Sequence, residues 1–304
     1  MPGVRSRRSG AVDLGLAFAG AFAFGCTILF SRAVARDGLA PSVALGIRFA
    51  CAGLILLGVL ALMRRPLLPP PGERAAAIGL GLVLYSVEST LFYLGLERGT
   101  AAAVALIFYA YPAVVALAEV VLGQARFQAR TLVALLLAIV GSAIVAVGGG
   151  DVAISAAGVL CVVGSILVFS TYVLVSDRVL VRTDSLTAAT WTALGAAVGV
   201  TFGGLLRGNL EAPDASTLAA LLANGVATAI AFTLFFVVLG RIGATRTAIV
   251  MAMEAVTGIV LSAIFLDESI RAVVVVGGIA ILSGATLAAL AQPAVTHEEE
   301  LTGP

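Results

Sequence analysis

The chain contains no lysine; its 18 basic residues are all arginine. A phosphate loop of the Gly-x-x-x-x-Gly-Lys type is therefore impossible, and ATP is excluded as an energy source within the chain. Histidine is nearly as scarce, with His297 alone in the acidic run His297-Glu298-Glu299-Glu300. The three cysteines, Cys26, Cys51 and Cys161, fall in three different apolar stretches and read as small buried hydrophobes. No metal site can be assembled from that inventory. Charged residues make up only 12% and the net charge is +1, which argues against a nucleic-acid partner.

What is abundant is apolar surface. Sixty-one per cent of the 304 residues are hydrophobic and the mean hydropathy is +1.12, far outside soluble usage. Ten apolar stretches, at 14–31, 41–63, 75–96, 101–122, 131–149, 153–175, 186–206, 216–239, 247–266 and 272–291, each approach the ~20 residues that cross a hydrocarbon core. None alternates polarity at every second residue, so helices are expected and a barrel is not. Arg5, Arg7 and Arg8 ahead of the first stretch resemble a signal peptide, but bulky Phe24 near the cut site and nine further stretches make them a cytoplasmic anchor.

Ten spans put both termini on one side. With the N-terminus inside, Arg5, Arg7, Arg8, Arg64, Arg65, Arg74, Arg126, Arg130, Arg178, Arg182, Arg241 and Arg246 are cytoplasmic. Only Arg32, Arg36, Arg98, Arg207 and Arg271 are outside, so the positive-inside rule expects both termini in the cytoplasm. Gly195, Gly199 and Gly203 recur at every fourth position and give the seventh span a flat face for close helix packing. Pro112 alone among the prolines lies deep in a span, where it frees the carbonyl of Phe108 and bends the helix beside Tyr109 and Tyr111, which suits a gate, a binding wall or a fixed kink for packing.

Residues 92–124 can be laid on 236–268 at an offset of 144: Gly99-Thr100-Ala101 meets Gly243-Ala244-Thr245, Phe92 meets Phe236, and Leu122-Gly123-Gln124 meets Leu266-Asp267-Glu268. Both matches fall at the third-to-fourth span junction of a five-span half. Halves with an odd number of spans insert in opposite orientations, a recurring plan for alternating-access carriers.

With Arg48-Phe49 in the second span, the stretch from Gly99 through Tyr111-Pro112 to Gln124, and its partner from Gly243 through Glu254 to Glu268, residues 12–291 resemble the EamA-type branch of the drug/metabolite transporter superfamily. Members commonly carry Glu-Pro in the ninth span and a Gly-Glu ending after each repeat, where this chain has Glu254-Ala255 and Gln124. The resemblance implies an all-α polytopic protein of ten transmembrane helices in two inverted five-helix repeats, 12–149 and 150–291, followed by a cytoplasmic acidic tail at 292–304.

Four charged residues lie inside the spans: Arg48, Glu88, Glu119 and Glu254. Each costs a few kcal/mol in lipid unless it has a partner or a water-filled cavity. Arg48 lies roughly 10 Å below the outer start of span two and Glu88 roughly 12 Å below the outer end of span three, from the helical rise. Their matched depths admit a structural ion pair, or a cavity where Arg48 meets an anionic group and Glu88 a cationic one or a proton. Tyr85, Ser86, Ser89 and Thr90 add hydroxyls around Glu88. Glu254 is near the midplane, where a carboxyl suits proton coupling or a bond to helix backbone, and Glu119 reaches the inner interface. Trp191, the single tryptophan, falls near the repeat position of Arg48 and reads either as an aromatic platform for an organic solute or as a core or lipid-facing residue.

These residues read as a secondary transporter of the plasma or inner membrane moving a small polar metabolite or drug-like solute, an exporter by alternating access that is either proton-coupled or passive. The substrate-binding candidates are Arg48, Tyr85, Glu88, Ser89, Tyr109, Tyr111, Trp191 and Glu254, with Glu88 and Glu254 coupling and Pro112 gating. Solute, bilayer and protons are the implied partners, a homodimer is compatible, and no cofactor is called for. The alternative is a non-transporting membrane sensor or assembly scaffold. An intramembrane enzyme would need a nucleophile with its base, or paired aspartates, which the spans lack.

Overall fold

The computed structural model describes residues 3–35, 38–99, 101–123, single positions between 129 and 144, 154–208, 211–251, 253–266 and 272–291. Gln124, Asp267, Glu268, most of the fifth span and the 292–304 tail lie outside the described residues. The chain forms helices α1 (Gly3–Ala35), α2 (Pro41–Leu62) and α3 (Arg74–Gly79), a π-helical turn (Leu80–Tyr85), then α4 (Ser86–Leu96), α5 (Ala101–Phe108) and α6 (Tyr111–Val121). The second half holds α7 (Ala156–Val179), α8 (Ser185–Arg207), α9 (Ala215–Ile242), α10 (Ala244–Met251), α11 (Met253–Leu266) and α12 (Ala272–Ala291). Among the described residues there is no strand, only an isolated bridge between Gly99 and Ile154.

Helix ends follow the local chemistry. Pro41, which lacks the N–H that a first turn leaves unused, starts α2. Ser155, Asp184 and Asp214 cap α7, α8 and α9 by accepting from the backbone N–H of Gly158, Leu186 and Thr217. Hydrogen bonds from Thr217 and Ser216 hold the Asp214 carboxyl below its ordinary value. Gly208, at φ 70°, closes α8 in the left-handed region that favours glycine.

Five segments are long and apolar enough to cross a bilayer: Pro41–Leu62, Arg74–Leu96, Ala156–Val179, Ser185–Arg207 and Ala215–Ile242. Gly15–Ser31, Tyr111–Val121 and Val275–Gly284 are shorter apolar helices. The count thus falls short of the ten spans expected from composition, and two causes are visible. The fourth span is divided at Tyr109-Ala110, with Pro112 in the first turn of α6, and the fifth and ninth run through positions outside the described residues. The outward faces are apolar, with Leu54, Leu160, Val198 and Phe202 each more than 60% exposed, as a lipid-facing perimeter requires.

α1 runs antiparallel to α9, since Asp13 meets Arg241 at one end and Ser31 meets Asn224 at the other. α2 runs antiparallel to α8, with Gly46 against Thr201 and Gly53 against Leu194. The glycine face of α8 packs on the π turn. A Cβ at Gly195 would stand 2.8 Å from the Ile78 carbonyl oxygen, and one at Gly199 would overlap the Leu82 carbonyl and Ser86, whereas Gly203 faces open space. The two backbones therefore touch over two of the three glycines, which is the packing role expected of the stripe. An extra residue in the π turn rotates the next helical turns by about 100° relative to an unbroken α-helix. That register carries Tyr85, Glu88 and Ser89 inward.

At the end holding the starts of α1, α3 and α8, polar contacts bind the two halves. Arg241 pairs with Asp13 at 2.8 Å and Arg65 with Asp184 at 3.0 Å. Glu73, 6% exposed, accepts from the backbone N–H and Nε of Arg182, both at 3.1 Å, and from the Thr183 hydroxyl. Thr245 donates to Glu119 at the same end. Each of these ion pairs joins a residue of the first half to one of the second.

Burial pushes the Glu73 carboxyl up, but the bonds from Thr183 and Arg182, with the guanidinium charge, hold it net below its ordinary 4.5. Its contribution to stability is therefore full above that value and is lost as pH falls through the lower folded value. Glu73→Gln is expected to lower the melting temperature of the purified protein at neutral pH by about 4–8 °C, equivalent to ~2 kcal/mol. The gap between wild type and variant should close on acidification below 4.5. A gap unchanged at the lowest pH would show that charge is not its source.

Candidate solute-binding cavity

Between the helices lies a cavity of about 230 Å³. Its wall is drawn from the last turns of α1 (Phe24, Thr27, Ser31), the early part of α2 (Leu45, Arg48), the π turn and α4 (Tyr85, Glu88, Ser89, Phe92, Tyr93), the α5–α6 junction (Phe108, Tyr109), α7 (Phe169) and α11 (Glu254). It is displaced towards the end opposite the ion pairs, because α1 contributes its final turns and α2 its first.

Three of the four intramembrane charges converge here. Arg48 donates from Nε to Thr228 Oγ1 at 2.7 Å, and its Cζ lies 5.0 Å from the Phe49 ring centroid. Glu88 accepts from Ser165 at Oε1, 3.1 Å, and from Ser89 at Oε2, 3.0 Å. Glu254 accepts from the Tyr109 hydroxyl at 3.1 Å. Arg48 feels the charge of both carboxylates, yet among the described residues no ion pair joins them. The structural ion pair that matched depth admitted does not form among the described residues; serines hold both oxygens of Glu88, and a threonine holds Nε of Arg48.

The rest of the wall is aromatic. Tyr85 is edge-on to Phe49 at 5.5 Å, to Tyr172 at 5.1 Å and to Phe232 at 4.9 Å, and Phe108 lies 5.4 Å from Phe169. Such tilted pairs lock one another in place and offer ring faces and edges to an occupant.

Of the residues singled out in the sequence, Arg48, Tyr85, Glu88, Ser89, Tyr109 and Glu254 line this one cavity. Tyr111 and Trp191 are placed elsewhere. Tyr111 is buried with its hydroxyl on the Ala248 carbonyl at 2.9 Å, tying α6 to α10. The Trp191 indole N–H, which needs an acceptor, finds the Leu67 carbonyl at 2.8 Å, at the end of the molecule where the ion pairs gather. Ser86 and Thr90 spend their hydroxyls on the carbonyls of Gly81 and Ser86. Composition and depth gave no sign of Thr228, Ser165, Phe169 or the α1 face of Phe24, Thr27 and Ser31. Their residue types are ordinary within an apolar span.

With this geometry in view, comparison with known proteins gives three results. The EamA-like transporter family matches the chain twice, over residues 13–147 and 156–290, which together are most of its length. The chain belongs to the EamA-like transporter family. As an EamA-like transporter it is a multi-pass, all-helical membrane protein of two repeats, and its partners are membrane lipid and a small-molecule solute. A solved structure titled "Crystal structure of protein" aligns at a TM-score of 0.76 and 16% identity, covering 92% of this chain and 97% of the other; that likeness concerns the fold. No curated protein matches the chain.

Proposed function

We propose that the protein is a secondary transporter which exports a small organic solute bearing both an anionic and a cationic group, by alternating access coupled to protons. One observation carries the reading: a guanidinium and two carboxylates share a small aromatic-walled cavity inside the apolar bundle without neutralising one another. Charges kept apart at such desolvation cost have a use for their separation. Arg48 suits an anionic group, Glu88 or Glu254 a cationic one, and Tyr85, Phe108 and Phe169 an apolar body. The cavity is smaller than the roughly 300–1,000 Å³ of pockets for drug-sized ligands, which favours a metabolite as the cargo.

On this reading the carrier spans the plasma or inner membrane ten times as two inverted repeats, 12–149 and 150–291, with both termini and the 292–304 tail in the cytoplasm. The ion pairs at one end close the cytoplasmic side in this conformation, and Pro112 at the divided fourth span serves the gate. A homodimer is compatible with the apolar perimeter.

Export is tested by comparing metabolites in medium and cytosol of cells with and without the gene, then by flux of any solute so found in proteoliposomes under an imposed pH gradient. A bipolar solute should build up outside only when the gene is present, and its flux should respond to the gradient. Equal media, with no gradient-dependent flux in vesicles, would return the protein to the sensor or scaffold class.

A further inference from the structure

We infer that Thr228 is a positioning residue for the cavity: by holding Nε of Arg48 it keeps the guanidinium from collapsing onto the nearby carboxylates and leaves the terminal nitrogens open to an incoming anion. The inference deepens the transport proposal and rests on it for the purpose of the open fork, though its test needs no solute.

The hydrogen-bond directions are fixed. Thr228 is wholly buried, and its hydroxyl donates to the Asn224 carbonyl one turn back on α9, at 2.8 Å. Its proton is thereby spent, and the oxygen's lone pairs face Arg48, whose Nε–H is a donor only. The 2.7 Å contact therefore runs from arginine to threonine, and it crosses from the first half to the second. Among the described residues, the guanidinium makes no other hydrogen bond and no ion pair.

Without Thr228, an arginine facing carboxylates across a low-dielectric space would swing to pair with one, since the alternative leaves a charge unsatisfied. Ser165 and Ser89 work from the other side by occupying both oxygens of Glu88. Valine has nearly the shape of threonine and no acceptor, so Thr228→Val isolates the effect. The structural alternative is that Thr228 merely satisfies helix backbone, like Thr233 on Ala229 of the same helix. That role predicts no change at Arg48.

The test uses the full chain in lipid nanodiscs and the arginine reagent 2,3-butanedione, with modification of the Arg48 peptide followed by mass spectrometry. An arginine locked in an ion pair reacts more slowly than one with an open fork. Thr228→Val is expected to slow the reaction at Arg48 at least about tenfold, in line with one new charge pair. Thr228→Ser, which keeps the acceptor, should match wild type. Adding Glu88→Gln and Glu254→Gln to Thr228→Val should restore the wild-type rate, because no carboxylate is left to capture Arg48. If Thr228→Val does not fold, Thr228→Ala carries the same expectation. A valine or alanine variant reacting at the wild-type rate overturns the inference. So does a slowed rate that persists after both carboxylates are removed, because packing would then be the cause. Failure to find a transported solute would count against the transport proposal and leave this result standing.

Discussion

Arg48→Gln is expected to cut solute flux by at least about a hundredfold, with the loss in binding and not in folding. Among the described residues, Arg48 is the single cation lining a cavity of carboxylates, hydroxyls and rings. Removing one partner of a buried, charge-assisted contact typically costs 2–5 kcal/mol, and about a hundredfold corresponds to the lower part of that range. Arg48→Lys should recover little. An ammonium keeps the charge but has no Nε to rest on Thr228 and no planar fork for two oxygens. The check is initial flux and equilibrium binding in proteoliposomes, with the melting temperature recorded alongside. Flux within threefold of wild type would remove Arg48 from the binding site.

The second expected result concerns Glu254. With all three charges ionised the cavity holds one guanidinium against two carboxylates, Glu88 and Glu254. It is then net negative in a low-dielectric setting, and a proton is the smallest ion that can offset the excess. Glu254 faces Tyr109 by a hydrogen bond and feels both Arg48 and Glu88, so its charge state is linked to every other charge in the site. Glu254→Gln keeps shape and hydrogen-bonding capacity while removing titration. The variant should bind solute within a fewfold of wild type, yet its flux should become flat across pH and should no longer be driven by an imposed proton gradient. Unchanged rate with an unchanged pH profile would put Glu254 back among residues that hold helices together.

A residue is legible in the sequence to the extent that its position is costly. Charge in lipid is expensive, so Arg48, Glu88 and Glu254 stand out from composition and depth alone, and their meeting in one cavity follows from the same expense. The glycine stripe at Gly195 and Gly199 is readable because backbone contact needs glycine at one-turn spacing. Trp191 illustrates the failure. Its place near the repeat position of Arg48 suggests the cavity, whereas its indole N–H goes to a carbonyl at the other end, that of Leu67. Tyr111 likewise spends its hydroxyl on a backbone carbonyl, that of Ala248.

The class of molecule needs no more than the order of residues: apolar spans, repeated halves and the few polar groups a membrane would tolerate only for a purpose. These are local costs, met residue by residue, and they are visible without knowing neighbours. Whether the buried charges pair is a different matter, settled by how the helices pack. Ion pairing turns on a few ångströms between helices far apart in the chain, and two hydroxyls from the second half, those of Thr228 and Ser165, hold Arg48 and Glu88 separate. Serine and threonine in an apolar helix ordinarily bond their own backbone one turn back, as Thr228 also does. Nothing in their identity could announce which of them would also reach across.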